Sequence, residues 1–284
     1  MSDGAGAIAP VDIEALWAKV RQSSFYAAMR TMPQRKREAM FAIYAFCRAV
    51  DDIADDQHGD RSARTAALNH WRADLDKLYA GADPGIAAFL TEPVRGFGLE
   101  RADFEAIIDG MQMDVDADIV APDDATLDLY CDRVASAVGR LSVRVFGMDR
   151  QPGIDLAHHL GRALQLTNIL RDLDEDAAIG RLYVSTGALA VAQIPLGDPR
   201  TIVADPRIDV AARQIACEAK RHYEAADKVM KTAKGQLKPP RLMGAAYGRI
   251  LKHMLAEGWK PPRRRVSLTK GEKLWVLARY GLMR

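Results

Sequence analysis

Two segments of this chain, about 120 residues apart, place carboxylates at intervals that bring them to one side of a helix. The first, Arg35 to Asp56, contains MFAIYAFCRAVDDIADD. Its apolar positions Met40, Ile43, Cys47, Val50 and Ala54 repeat at helical spacing. A second stripe, Tyr44, Arg48, Asp51 and Asp55, advances in steps of four, three and four. Two carboxylates one turn apart can hold a hard cation, or two cations with a bridging phosphate. Magnesium in particular favours one or two carboxylates plus substrate phosphate oxygens. A solvated acidic helix end is the simpler reading, but aspartates there oppose the helix dipole, whose C-terminal end is already negative.

The second segment, His158 to Asp176, reads HHLGRALQLTNILRDLDED. Gln165, Asn168, Asp172 and Asp176 share one face of the helix it predicts. Gln165 and Asn168 interrupt an otherwise apolar run. Buried amides need hydrogen-bond partners, so they point to a polar cavity or a ligand. Arg171 beside them is a phosphate clamp by type. Two clusters of like charge facing each other repel unless cations lie between them. The pair therefore implies metal ions, and this donor set implies phosphate.

The remainder reads as helix almost throughout, with breaks at Gly/Pro clusters such as Gly147–Gly153, Pro195–Pro206 and Lys238–Pro240. No repeat or linker divides the chain, so the expectation is one all-α domain over 1–284 with a basic segment at 260–284. Within YCDRVASAVGRLS, Ala135, Gly139 and Ser142 make a small-residue face suited to close helix packing, and Tyr130 precedes it. Asp114, Asp116 and Asp118 resemble the start of a calcium loop. They lack its glycine and glutamate, and read as a solvated helix end. His158 and His159 lack metal-ligand spacing and read as packing or surface residues. There is no P-loop, no GxSxG elbow and no complete dinucleotide fingerprint.

Composition narrows the class further. Hydrophobic residues make up 49% of 284, enough for a large core, and the net charge of +2 gives no field for nucleic acid. Lys260 to Arg284 holds eight Lys/Arg against Glu272 alone. That net +7 leaves −5 for the rest of the chain and suggests peripheral contact with an anionic membrane. Cys47, Cys131 and Cys217 are far apart without a CxxC, which fits a reducing cytoplasm. No signal-peptide pattern and no membrane-length apolar run are present.

SSFYAAMRTMPQRKREAMFAIYAFCRAVDDIADD, then YCDRVASAVG, then LGRALQLTNILRDLDEDAAIGRLYV, resemble the squalene/phytoene synthase family from about Ser23 to at least Tyr247. The wording is most similar to the bacterial hopanoid branch, whose members join two farnesyl diphosphates head to head into presqualene diphosphate. The resemblance implies an isoprenoid-synthase-type helical bundle around a central cavity, with magnesium (manganese able to substitute) as cofactor and no requirement for NADPH. It implies that Asp51, Asp55, Asp172 and Asp176 hold the metal, and that Arg48 and Arg171 contact diphosphate. Gln165 and Asn168 would line the diphosphate site, Tyr44 and Tyr130 would sit near the reacting carbons, and Ser24 and Phe25 would cover the ionising group. The family often has glycine at Ser136 and proline at Ser185, so those details depart. Competing expectations are phytoene synthesis from geranylgeranyl diphosphate, full squalene synthesis with NADPH, a class I terpene cyclase, and a helical metal-binding protein without turnover.

Overall fold

The computed structural model describes residues 26–55 and 60–281. Among these residues there is no strand, only one isolated parallel bridge between Val120 and Leu182, so the chain is all-α. The helices are α1 (Tyr26–Met29), α2 (Gln34–Asp55), α3 (Arg61–Ala80), α4 (Thr91–Phe97), α5 (Arg101–Asp116) and α6 (Asp124–Cys131). A π-helical turn, Asp132–Ser136, leads into α7 (Ala137–Phe146). There follow α8 (Arg150–Arg171), α9 (Leu173–Ala178), α10 (Thr186–Val191), α11 (Pro199–Ala204), α12 (Ile208–Thr232), α13 (Lys238–Glu257) and α14 (Lys270–Val276).

Local chemistry sets the boundaries. Asp60 caps α3 by accepting from the Ala63 amide at 2.6 Å, and Gly81 ends it in the left-handed region that glycine adopts without a Cβ clash. In α13 the prolines Pro239 and Pro240 occupy the first turn, where no amide hydrogen bond is lost. The Lys238–Pro240 break expected from sequence is thus a helix start.

In α2, Ile43, Phe46 and Val50 are fully buried at helical intervals, and Phe46 meets Trp71 and Phe104 edge-on at 5.3 and 5.1 Å. They belong to one apolar cluster, and a second gathers around α8, α10 and α12. Partly buried Val134, Tyr223 and Ala246 pack against both. Helix α8 comes unusually close to the chain preceding it. A Cβ on Gly161 would stand 2.7 Å from the Ser136 backbone, and one on Gly139 would stand 3.0 Å from Ala157. The small-residue face expected at Ala135, Gly139 and Ser142 serves this close packing and also lines the central cavity.

One expectation needs correction. The second aspartate segment is not a single helix to Asp176: α8 stops at Arg171, and α9 restarts after Asp172. Asp174, Glu175 and Asp176 then lie in the first turn of a new helix, where the positive end of the dipole favours acids. The amide of Asp176 still donates to the Asp172 carbonyl at 2.8 Å, so the two carboxylates stay one turn apart.

Candidate active site

A cavity of about 270 Å³ opens between α2, the π turn, α7, α8 and the start of α13. Met40, Ile43, Phe146, Leu156, Leu160 and Met243 give it apolar walls. Tyr44, Arg48, Asp51, Gln165 and Asn168 line it as well, and Tyr130 joins them from α6. Six of the predicted residues therefore share one chamber, whereas Asp55, Arg171, Asp172 and Asp176 do not line it. Ser24 and Phe25 lie outside the described residues.

Helix α2 supplies the first stripe. Arg48 donates to the carboxylates of Asp51 and Asp52 on its own helix, the latter at 2.8 Å. The two segments meet through Arg181, which is nine-tenths buried. It donates to the Asp55 carboxylate at 2.7 Å and to the Ala54 carbonyl at 3.1 Å. Arg181 also acts electrostatically on Asp176 and Asp114. Burial and then the neighbouring Asp55 push the Asp51 carboxyl up to about 6. Burial and then Asp172 push Asp176 up to about 7. Both are signs of crowded negative charge with too few counter-ions.

At the end of α8 Arg171 grips Asp172 with two hydrogen bonds, at 2.8 and 2.6 Å, and its guanidinium lies 5.9 Å over the Tyr247 ring. Arg265 adds a third bond to Asp172 at 2.8 Å and a 3.4 Å ion pair to Glu175. Arg263 pairs with Asp174 and donates to the Val203 carbonyl. In the first part of the basic segment, Arg263 and Arg265 thus have acidic partners in the second cluster, while Lys260 and Arg264 are exposed. On α8, the buried Asn168 side-chain oxygen has no hydrogen-bond partner. An orphaned acceptor beside carboxylates suits an oxygen-preferring cation, so the donor set fits magnesium.

The sequence reading was wrong about Asp114. It is not a solvated helix end but is 4% exposed, and it accepts hydrogen bonds from Tyr130 at 3.0 Å and Tyr183 at 2.7 Å. Those two rings stack with centroids 4.8 Å apart. Burial raises the Asp114 carboxyl, and it also holds both phenols above their usual range, so the phenols stay neutral. The signal was present in sequence: Phe104, Ile107 and Met111 put Asp114 on the buried face of α5, while Asp116, its last residue, and Asp118 beyond it are exposed. Tyr183, Arg181, Arg265 and Tyr247 had no sequence marking and are found only by folding.

An all-α fold with an apolar chamber, and two acidic clusters linked by Arg181, defines the class. The chain belongs to the squalene/phytoene synthase family, whose model matches residues 18–272. It is 56% identical over 269 residues to a presqualene diphosphate synthase of Zymomonas mobilis, covering 94% of this chain and 92% of that one. It is 55% identical to the presqualene diphosphate synthase of Rhodopseudomonas palustris, covering 92% and 94%. Phytoene synthases are more distant relatives. Among solved structures it resembles squalene synthase from Alicyclobacillus acidocaldarius, with TM-score 0.77 and 26% identity, covering 88% and 95%. The family uses a divalent metal to bind diphosphate.

Proposed function

We propose that this chain condenses two farnesyl diphosphates head to head into presqualene diphosphate, releasing diphosphate, with magnesium as cofactor and without NADPH. The observation that carries the reading is an apolar chamber lined by Arg48, Asp51, Gln165 and Asn168, with Arg181 linking Asp55 to the Asp176 cluster, in a chain about 55% identical to presqualene diphosphate synthases. Residues 1–284 act as one domain in this reading, since both apolar clusters share Val134, Tyr223 and Ala246.

Asp51, Asp55, Asp172 and Asp176 would hold the metal ions, with the Asn168 oxygen completing the donor set. Bound magnesium neutralises diphosphate as the C–O bond breaks and so makes it a better leaving group. Arg48 and Arg171, already placed beside these acids, orient the phosphate oxygens, and Gln165 donates to them. The apolar walls keep water from the allylic cation while the double bond of the second chain attacks. Tyr44 and Tyr130 flank that cation, and an aromatic face stabilises a cation by about 1–2 kcal/mol. Loss of a proton to the released diphosphate then closes the cyclopropane. Asp114 fixes the direction of the Tyr130 hydroxyl.

Among the described residues no helix is long and apolar enough to cross a membrane. We place the protein in the cytoplasm, resting on the anionic inner membrane face through α14. Its Leu274 and Trp275, with Leu277 just beyond it, are exposed beside Lys270 and Lys273, a pattern that suits the lipid interface.

The test is purified protein with farnesyl diphosphate and magnesium, without NADPH, and products read by mass spectrometry. Presqualene diphosphate from the native chain and none from Asp51→Ala or Asp172→Ala supports the assignment. Phytoene from geranylgeranyl diphosphate, with farnesyl diphosphate untouched, replaces the substrate and keeps the class. No consumption of either overturns the reading.

A further inference from the structure

Away from the acidic chamber, three imidazoles meet between α8 and α12. His158 and His159 are consecutive on α8, and His222 comes from α12, 63 positions beyond His159. One ring nitrogen from each lies within 4.8 Å of the others. The Nδ1 atoms of His159 and His222 are 3.1 Å apart. Donors on a tetrahedral zinc at 2.0–2.1 Å stand roughly 3.3 Å from one another, so small ring rotations bring the set to ligating distance. All three rings are half-buried, which leaves one side open to solvent.

We propose that His158, His159 and His222 form a transition-metal site, for a borderline-soft dication of the zinc, cobalt or nickel class, that ties α8 to α12.

Ligand type separates this site from the acidic chamber. Imidazole suits such ions, whereas magnesium selects oxygen donors. The nearest strong cation, Arg162, is compensated: it makes two hydrogen bonds to Asp128, at 2.6 and 2.9 Å, and one to Asp132 at 3.1 Å. A small recess beside His222 is lined by Asp124 and Glu218 as well as by the Arg162–Asp128 pair, and those two further acids offset the charge of a bound dication. Burial also holds the three imidazoles below the usual histidine range, so their lone pairs are available at neutral pH. Spacing in sequence could not show the site, because two adjacent histidines on a helix make no metal motif without the distant third.

The ion would brace the outer side of α8, the helix that presents Gln165 and Asn168 to the cavity on its inner side. Binding to the folded state alone raises the melting temperature.

The experiment titrates Co²⁺, then Zn²⁺, into the full chain in excess Mg²⁺, read by visible absorption and thermal melting. The expected result is one equivalent with tetrahedral cobalt bands, displaced by zinc, and a higher melting temperature. His222→Ala and, separately, His158→Gln should weaken cobalt binding at least tenfold, while Asp51→Asn leaves it unchanged. Melting of the variants without metal identifies any that fail to fold, and the two positions keep the test independent. Absence of the bands, equal binding by both histidine variants, or loss in Asp51→Asn would overturn the proposal and leave a plain hydrogen bond between His159 and His222.

Discussion

Arg181 donates to the Asp55 carboxylate at 2.7 Å across 126 positions of sequence, and this contact draws the two acidic segments together. Its positive charge also lies among Asp114 and Asp176, where a bound dication would lie in the working enzyme. Removing it leaves the acids uncompensated. Arg181→Met should lower stability by about 1–3 kcal/mol, because the buried Asp114 loses a nearby positive charge and the Ala54 carbonyl loses its donor. Magnesium should then raise the melting temperature more in the variant than in the native protein. Equal magnesium shifts in both would show that Arg181 does not share the acids' charge.

Asp51 near 6 and Asp176 near 7 make the metal-free protein sensitive to pH. A carboxyl raised above its unfolded value near 3.8 binds its proton more tightly when folded. Its contribution to stability is therefore full below about pH 3.8 and is lost as pH rises through about 7. Melting of the metal-free protein should fall between pH 5 and 8 relative to an Asp176→Asn variant, on the order of a few degrees. Because the metal needs the ionised acids, magnesium binding at pH 6.5 should release protons and at pH 8.5 almost none. Calorimetry in two buffers of different ionisation enthalpy measures this directly. Proton release that does not decline with pH contradicts the assignment.

The helix stripes made much of this architecture legible before any coordinates. Tyr44, Arg48 and Asp51, and then Gln165 and Asn168, fall on cavity-facing sides because a period of 3.6 residues leaves them no other. The helix break at Asp172 was not legible, since Asp172 pairs there with Arg265, 93 positions away, as well as with its neighbour Arg171. Nor were Arg181 and Tyr183. They sit in a short extended connection between α9 and α10, where no periodicity announces which side chains turn inward. Asp114 was misread because the two exposed aspartates after it drew attention to the helix end.

Close packing at Gly161 gives a stability prediction. A Cβ there meets the Ser136 Cα and N at 2.7 Å, so Gly161→Ala must push α8 off the π turn. Ser136 Oγ accepts from Arg162 at 2.9 Å, and that bond strains with the shift. Overpacking of this kind costs about 1–3 kcal/mol. For a domain of this size that is a fall of roughly 2–10 °C in melting temperature. An unchanged melting temperature would show that the helices separate freely at this point.

Tyr130 and Asp114 carry a prediction for turnover. The Tyr130 hydroxyl lies at the cavity wall and is aimed by its 3.0 Å bond to Asp114. Tyr130→Phe keeps the ring and its stacking on Tyr183 but removes that O–H. If the hydroxyl's dipole, held by Asp114, stabilises the cation near the reacting carbons, kcat should fall about tenfold or more, equivalent to about 1.4 kcal/mol in the barrier. KM for farnesyl diphosphate should move little, because the proposed phosphate contacts are Arg48 and Arg171 and not Tyr130. A rise in KM at constant kcat would instead make Tyr130 a binding residue.

The C-terminal helix offers the membrane test in its cleanest form. Deleting residues 260–284 would confound it, because Arg263 and Arg265 hold the acidic end of α9 and their loss would damage the active site. Lys270, Lys273 and Trp275 stand apart from that contact, and Trp275 is half exposed. Each lysine near an anionic surface contributes about 1 kcal/mol, so reversing both with Lys270→Glu and Lys273→Glu should weaken binding to phosphatidylserine vesicles by tenfold or more. Trp275→Ala should weaken it further, including on neutral vesicles, since its contribution is interfacial and not ionic. Co-sedimentation at two salt concentrations separates the two effects. Native-like binding by the triple variant would remove α14 as the contact and return the exposed apolar side chains to ordinary surface.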